Sequence, residues 1–192
     1  MSDLRHLDEL IKSGWFKKPW VILGTGPSLN HFDYEKWKAY NIAAIYDAAF
    51  ACKKVRITFA SDHWWGKTEH HAYFERSDYV ATRIINSEIP PFENVRYWEY
   101  DCDVEQLGGR RLFPEVRTYP CSNTSSFIVY WLCFHGVREI YTCGIDGGWG
   151  VADVVRDVYR EQATPNRGWD PDRENEGVYG HASGHGVTLI KI

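Results

Sequence analysis

The sequence predicts an α/β fold, in which residues 1–192 form a single Rossmann-like domain with a mostly parallel sheet and helices on both faces. Short apolar runs rich in β-branched and aromatic residues alternate with segments of helical character. Several of these runs are apolar throughout, which is typical of strands buried on both faces of a parallel sheet. With 44% hydrophobic and 25% charged residues, a chain of 192 residues can also bury one sizeable core.

Six predicted strands follow one another along the chain, and each stops at a glycine, a proline or a polar residue. Their sequences are PWVILG, NIAAIY, RITFAS, DYVATRII, VRYWEY and REIYTCGID. The clearest helix is predicted from Ser122 to Gly136. Phe127, Trp131 and Phe134 recur at helical spacing within it, and the glycine provides a C-terminal stop. We expect this helix to lie buried against the sheet, and we expect no final helix and strand beyond His185.

Charge and composition restrict the partners of this chain. A formal net charge of −4 without a basic block argues against a nucleic-acid polymer and leaves a small charged ligand. No apolar run approaches the roughly eighteen residues of a membrane span, and the polar start MSDLRHLDELIKSG is unlike a signal peptide, so we expect a cytoplasmic protein. The five cysteines lack a C-x-x-C pair and are expected to be reduced and mostly buried. The oligomeric state stays open, a homo-oligomer included.

Polar residues follow four of the predicted strands. They are Gly24–Ser28, Asp47, Asp62 and Asp146. Ligands of parallel α/β sheets bind beyond the carboxyl ends of the strands, so these residues together predict a nucleotide-sized site at one edge of the sheet. Taken singly, each has a simpler interpretation, since Gly-Pro-Ser makes turns and aspartate often caps a helix.

The first loop, LGTGPSL, departs from two common phosphate-binding motifs. Leu29 stands where the dinucleotide fingerprint G-x-G-x-x-G needs its third glycine, and no Gly-Lys-Ser/Thr of a Walker A loop follows. The sequence therefore disfavours a redox NAD enzyme and a P-loop kinase. Backbone N–H groups freed by glycine still suit a phosphate, although the same residues also serve simply to turn the chain.

Three blocks of this sequence resemble known enzyme families. The GTGPSL opening is similar to that of the bacterial sialyltransferases of glycosyltransferase family 42 and of the archaeal-type 6-hydroxymethylpterin diphosphokinase family. The block Asn123–Asp146, with a Thr-Ser pair opening a helix and REIYTCGID after it, and the shorter block Tyr179–His181 resemble the sialyltransferases. This resemblance implies a Rossmann-like domain that binds a cytidine nucleotide and transfers a sugar to an acceptor hydroxyl.

The resemblance also implies roles for individual residues. His181 corresponds to the catalytic histidine, a general base, and Tyr179 or Tyr159 would hydrogen-bond the departing phosphate. The strand ends and the resemblance together give these candidate nucleotide-binding residues: Gly24, Thr25, Gly26, Pro27, Ser28, Asp47, Asp62, Asn123, Thr124, Ser125 and Asp146. The expected partners are thus a nucleotide or nucleotide sugar and a sugar acceptor.

Departures from the sialyltransferase pattern leave two alternatives open. Asp47 and Asp62 stand where those enzymes carry asparagine, and Ser122 stands where they carry an arginine. The diphosphokinase relatives carry an aspartate at the position of Asp62, which favours Mg²⁺-dependent diphosphoryl transfer with Asp62 as a metal ligand. The second alternative is a nucleotide-binding module without catalytic activity. It stays open because fold alone does not determine function.

Other polar and aromatic residues carry weaker predictions. Residues 162–186 are poor in aliphatic side chains and rich in acidic ones, and we expect them to form a mobile lid over the donor. Asp101 and Asp103 have the D-x-D spacing of a metal-binding turn, but acidic turns are commoner. His181 and His185 lie among glycines, which disfavours a helical zinc site; either one could be a general base or simply an exposed polar residue. The tryptophans expected in loops near the site, where they could stack on a ligand or pack locally, are Trp64, Trp65, Trp149 and Trp169.

Overall fold

The structure of the chain, a computed structural model, describes residues 7–60, 72–83, 93–98, 124–147, 150–156, 178–180 and 182–192. The strands of these residues are β1 (Trp20–Leu23), β2 (Asn41–Ile45), β3 (Val55–Ala60), β4 (Ser77–Arg83), β5 (Val95–Trp98), β6 (Glu139–Cys143) and β7 (Thr188–Lys191). The α-helices are α1 (Tyr34–Trp37), α2 (Ala72–Arg76) and α3 (Thr124–Phe134), and short 3₁₀ segments span Leu7–Ser13, Trp15–Lys17, Pro27–His31 and Tyr46–Ala51.

The seven strands form one parallel sheet in the order β5-β4-β3-β2-β1-β6-β7. The chain builds the sheet outward from β1 to β5, then returns to the other side of β1 to add β6 and β7. The strand order therefore reverses between β1 and β6, which is the topological switch point of the sheet. The predicted α/β fold with a parallel sheet is confirmed.

Both faces of the sheet are covered, which explains why the apolar runs of the central strands are continuous rather than alternating with polar residues. In β1, Trp20 and Ile22 enter one core together with α3, while Val21 and Leu23 enter a second core on the other face. All four residues of β1 and all five of β2 are buried. The alternation of side chains along a strand thus divides one apolar run between two cores, as expected for a parallel sheet.

Helix α3 is buried almost all round, in agreement with the sequence prediction. Ten of its eleven residues, Thr124 to Cys133, are buried, so no polar face is needed. The helix stops where the sequence placed the stop, because Gly136 adopts a left-handed φ of +83°. There the N–H of Val137 donates to the carbonyl of Leu132, which satisfies one of the free carbonyls of the last turn.

The expectation that no strand follows His185 is wrong. Thr188–Lys191 forms β7, which pairs in parallel with β6 from Glu139 to Thr142. Its four side chains are exposed or only partly buried, and among the described strands β7 pairs with β6 alone. Only Leu189 and Ile190 are apolar within it, a shorter run than those that identified the central strands.

Among the described residues, no helix combines the length and the apolar character that crossing a bilayer requires.

Candidate functional site

The candidate site lies at the switch point, beyond the carboxyl ends of β1 and β6. Leu23 and Cys143, the last residues of these strands, are paired in the sheet register. The residues that follow them, Gly24–Ser28 and Gly144–Asp146, are therefore neighbours, as the sequence analysis expected for polar residues at strand ends. This crevice is where open α/β sheets bind their ligands.

Hydrogen bonds connect the two loops closely. The N–H of Gly24 donates to the Cys143 carbonyl and the N–H of Gly26 to the Gly144 carbonyl, each at 2.8 Å. In return, the N–H of Gly144 donates to Ser28 Oγ at 2.8 Å. With the N–H of Ser28, which donates to Asp146, three N–H groups of the glycine-rich loop are thus bound to β6 and the loop after it rather than directed at a ligand.

The closeness of the loops explains why two of these positions are glycine. A Cβ atom on Gly24 would overlap the carbonyl oxygen of Gly144, and a Cβ on Gly144 would overlap that of Gly24. Gly144 also has a φ of +72°, which L-residues with side chains rarely adopt. Close backbone packing is therefore a sufficient physical reason for this part of the motif.

Asp146 is the charged group of the crevice. Its Oδ2 accepts from the N–H of Ser28 at 2.8 Å, and its Oδ1 lies 3.1 Å from Lys191 Nζ. Burial raises the pKa of this carboxyl, but the hydrogen bonds from Ser28 and Lys191 outweigh burial and leave the pKa below its ordinary value. Asp146 is therefore ionised at neutral pH and can accept hydrogen bonds from hydroxyl groups but repels anions.

A segment after the β6 loop crosses over the glycine-rich loop. The N–H of Ala152 donates to the Thr25 carbonyl and that of Asp153 to Asn30 Oδ1, both at 2.8 Å. Pro27 packs so closely against Gly150 that a Cβ atom there would lie 2.7 Å from the proline ring. Residues 150–156 therefore hold the predicted nucleotide-binding loop from the side opposite to β6.

Asp47, at the end of β2, is occupied by contacts within the protein. Its side chain is 0% exposed and accepts from the hydroxyl of Tyr73 at 2.5 Å and from Arg156 Nη2 at 2.8 Å. Burial lowers the pKa of Arg156, but the carboxylate beside it raises that pKa overall. Direct contact between Asp47 and a nucleotide stays a prediction, and the described geometry gives this carboxylate a structural ion pair.

The first turn of α3 is the third element at this edge. Because α3 leads into the parallel strand β6, the helix runs against the strands and begins at their carboxyl ends. Thr124 and Ser125, which the sequence predicted as nucleotide-binding, lie in this first turn, and both are buried. The partial positive charge of a helix N-terminus favours anionic groups nearby.

Tyr179 of the block Tyr179–His181 and the nearby His185 lie in different surroundings. Tyr179 is 45% exposed, in the helical residues 178–180. His185 lies near the amino end of β6, away from the carboxyl end that leads to Asp146. Its carbonyl accepts from Arg138, which directly precedes β6. The five residues of β6 separate His185 from the Asp146 crevice by about 16 Å.

Several predicted residues fall outside the described part of the chain. They are Asp62, Asn123, Tyr159, His181, Asp101, Asp103, Trp64, Trp65, Trp149 and Trp169, together with residues 162–177 of the expected lid. Their predicted roles, including Mg²⁺ binding by Asp62, stay predictions. Within the described ranges, no three His, Cys, Asp or Glu side chains come together as metal ligands.

Sequence reasoning missed three side chains of this region: Tyr73, Arg156 and Lys191. The first two lie in segments that no motif marked, and their partner, Asp47, is 26 and 109 residues away. Lys191 ends a strand that was not expected. A search for a cation to match each aspartate at the strand ends would have pointed to residues such as these, without choosing among them.

Neither protein-family models nor curated proteins give a match to this chain. Among solved structures, the fold is similar to that of the monofunctional alpha-2,3-sialyltransferase Cst-I from Campylobacter jejuni. The two share 14% sequence identity with a TM-score of 0.55, over 91% of this chain and 75% of that chain. At this identity the likeness shows a common fold, and it bears on the sialyltransferase side of the resemblance and not on the diphosphokinase side.

Proposed function

We propose that this protein is a nucleotide-sugar-dependent glycosyltransferase of the sialyltransferase-like kind, with a cytidine nucleotide as the donor carrier. The observation that supports this most directly is that the loops Gly24–Ser28 and Gly144–Asp146 meet at the switch point of a parallel sheet, where such sheets bind their ligands. The fold shared with Cst-I, named as an alpha-2,3-sialyltransferase, supports the choice among nucleotide-binding functions.

In this proposal the ionised carboxylate of Asp146 accepts hydrogen bonds from the ribose hydroxyls. Its negative charge favours hydroxyl donors and disfavours a phosphate in the same place, while one oxygen keeps the N–H of Ser28 and the other pairs with Lys191. The phosphate would lie beside the carboxylate rather than on it, where a positive group can face it; the first turn of α3, with Thr124 and Ser125, adds a partial positive charge at these strand ends.

The proposed reaction moves the sugar from the donor phosphate to an acceptor oxygen. His181 takes the proton of the acceptor hydroxyl while that oxygen forms a bond to the anomeric carbon of the sugar. The bond from that carbon to the phosphate oxygen breaks, and cytidine monophosphate leaves with the electron pair. A hydroxyl of Tyr159 or Tyr179 donates to the phosphate as its negative charge grows.

Binding of nucleotides tests the donor assignment. Calorimetric titration with cytidine monophosphate and adenosine monophosphate should show at least about tenfold tighter binding of the cytidine nucleotide. Equal binding, or a preference for adenosine monophosphate, would contradict the proposal.

A transfer assay tests the chemistry, with release of cytidine monophosphate from a cytidine monophosphate–sialic acid donor as the readout. His181→Ala should lower the rate by about 10² to 10⁴. His185→Ala should not lower it, because His185 lies near the amino end of β6, away from the candidate site. Activity should persist in EDTA. Activity with ATP and a hydroxymethylpterin that disappears in EDTA and in Asp62→Asn, but survives His181→Ala, would instead identify a diphosphokinase. Nucleotide binding without turnover of either donor would identify a non-catalytic module.

A further inference from the structure

Lys191 brings a positive charge to the carboxyl edge of the sheet beside the candidate site. It is the last residue of β7 and lies next to Thr142 of β6 in the sheet register. Its Nζ is 3.1 Å from Asp146 Oδ1, and about half of its side chain is exposed. The ammonium group therefore lies at the crevice while it still reaches solvent.

Arg156, another cation at this edge, is committed to the interior. Its Nε and Nη2 donate to Asp47, and Nη2 also donates to the hydroxyl of Tyr73. Turning this guanidinium towards a ligand would leave the buried Asp47 carboxylate without its cation, which is costly. Lys191 pays no such penalty, because its partner Asp146 keeps the N–H of Ser28.

The charge of Asp146 makes a nearby cation necessary for a phosphorylated ligand. A phosphate that enters a crevice holding an ionised carboxylate meets repulsion unless a positive group lies between the two. An ammonium group has three N–H donors, so the one directed at Asp146 leaves others for a phosphate oxygen. Its flexible four-carbon stem allows it to adjust to the ligand.

We propose that Lys191 binds the phosphate of the nucleotide and so makes the site prefer a nucleotide over the corresponding nucleoside. This inference rests on the proposed function. Asp146 and Lys191 then divide the recognition between them. The carboxylate accepts from hydroxyl groups, and the ammonium group neutralises the phosphate.

The experiment compares the dissociation constants of cytidine monophosphate and cytidine for the wild-type protein, Lys191→Met and Lys191→Arg. In the wild type the nucleotide should bind more tightly than the nucleoside. Lys191→Met should reduce that ratio about tenfold while it leaves cytidine binding nearly unchanged. Lys191→Arg, which keeps the charge, should retain most of the ratio.

Lys54→Met provides the matched control. Lys54 also forms a partly exposed ion pair with an aspartate, Asp78. It directly precedes β3 and so lies at the amino ends of the strands, away from the candidate site. The control removes the same net charge and should leave the ratio unchanged. Thermal unfolding of each variant checks that the fold is intact.

The outcomes separate this inference from the proposed function. If the wild type binds cytidine monophosphate but Lys191→Met keeps the wild-type ratio, the role of Lys191 is overturned and the proposed function stands. If Lys191→Met weakens nucleotide and nucleoside equally, Lys191 only supports the site structurally, and the inference is again overturned. If the wild type binds neither ligand, the proposed function fails and the inference fails with it.

Discussion

The guanidinium of Arg156 is bound to the carboxylate of Asp47 through two of its nitrogens, with Nη2 2.8 Å from Oδ1 and Nε 3.0 Å from Oδ2. The N–H of Arg156 itself donates to the same carboxylate at 2.8 Å. A fully buried charge thus receives a cation, a backbone donor and the hydroxyl of Tyr73. This pair fixes residues 150–156, which cover the glycine-rich loop, to the end of β2.

Removal of Arg156 should destabilise the protein substantially. Arg156→Met leaves the Asp47 carboxylate buried without its cation, and we expect a loss of about 2 to 4 kcal/mol in the free energy of unfolding. Chemical denaturation measures this loss. The control is Lys38→Met, which breaks an exposed pair with Glu35 and should hardly change the unfolding midpoint. Equal midpoint shifts for both variants would show that the buried pair contributes no more to stability than the exposed pair does.

Gly144 should tolerate no side chain. Gly144→Ala combines a left-handed φ with overlap against the backbone of Gly24, and we expect a loss of about 2 to 4 kcal/mol in unfolding free energy. Gly184→Ala is the control, because a Cβ there meets nothing within 4 Å and its φ is not in the left-handed region. Unfolding curves of the two variants give the comparison. A Gly144→Ala variant as stable as Gly184→Ala would contradict the close packing of the loops.

The stabilising effect of Asp146 should depend on pH. Its pKa in the folded protein lies below the ordinary value of 3.8, so the ionised form stabilises the fold at neutral pH. That contribution is lost as the pH falls through the lowered pKa. Asp146→Asn should therefore be less stable than the wild type at about pH 7, and the difference should shrink below about pH 4. A difference that stays constant across this range would contradict the assignment.

The described thiols should be unreactive in the native protein. Burial raises the pKa of Cys52 to about 12 and that of Cys133 to about 11, and burial also raises the pKa of Cys143 despite hydrogen bonds to Ser28. The thiolate is the reactive form, so alkylation at about pH 8 should be slow at all three. Peptide mapping after iodoacetamide treatment, with and without denaturant, measures the labelling. Rapid native labelling of any of these cysteines would contradict its burial.

Most of the fold could be predicted because its signals are local. Each of the six predicted strands contains an apolar run that two covered faces require, and α3 carries its own stop signal in Gly136. β7 was missed because its apolar run is only two residues long, Leu189 and Ile190, between Thr188 and Lys191. Its place beside β6 depends on contacts with residues about 50 positions earlier in the chain, for example between Thr188 and Glu139.

The site could be predicted only in outline. The parallel sheet brings Gly24–Ser28 and Asp146 to one edge, and this followed from strand ends alone. That three N–H groups of the glycine-rich loop bind β6 and the loop after it, and that Asp47 pairs with Arg156, did not follow. Both depend on the choice of partner among residues more than 100 positions apart, and no local pattern encodes that choice.

The reversal of strand order at β1 and β6 has a consequence for the order of folding. Strands β1 to β5 are neighbours in sequence as well as in space, so they can assemble through short loop closures as the chain is synthesised. The hydrogen bond from Ser28 to Asp146 closes a loop of 118 residues and can form only after β6 has emerged and inserted beside β1. A nascent chain that ends at β5 therefore exposes one side of β1 to other strands, and the candidate site is completed only in the last steps of assembly.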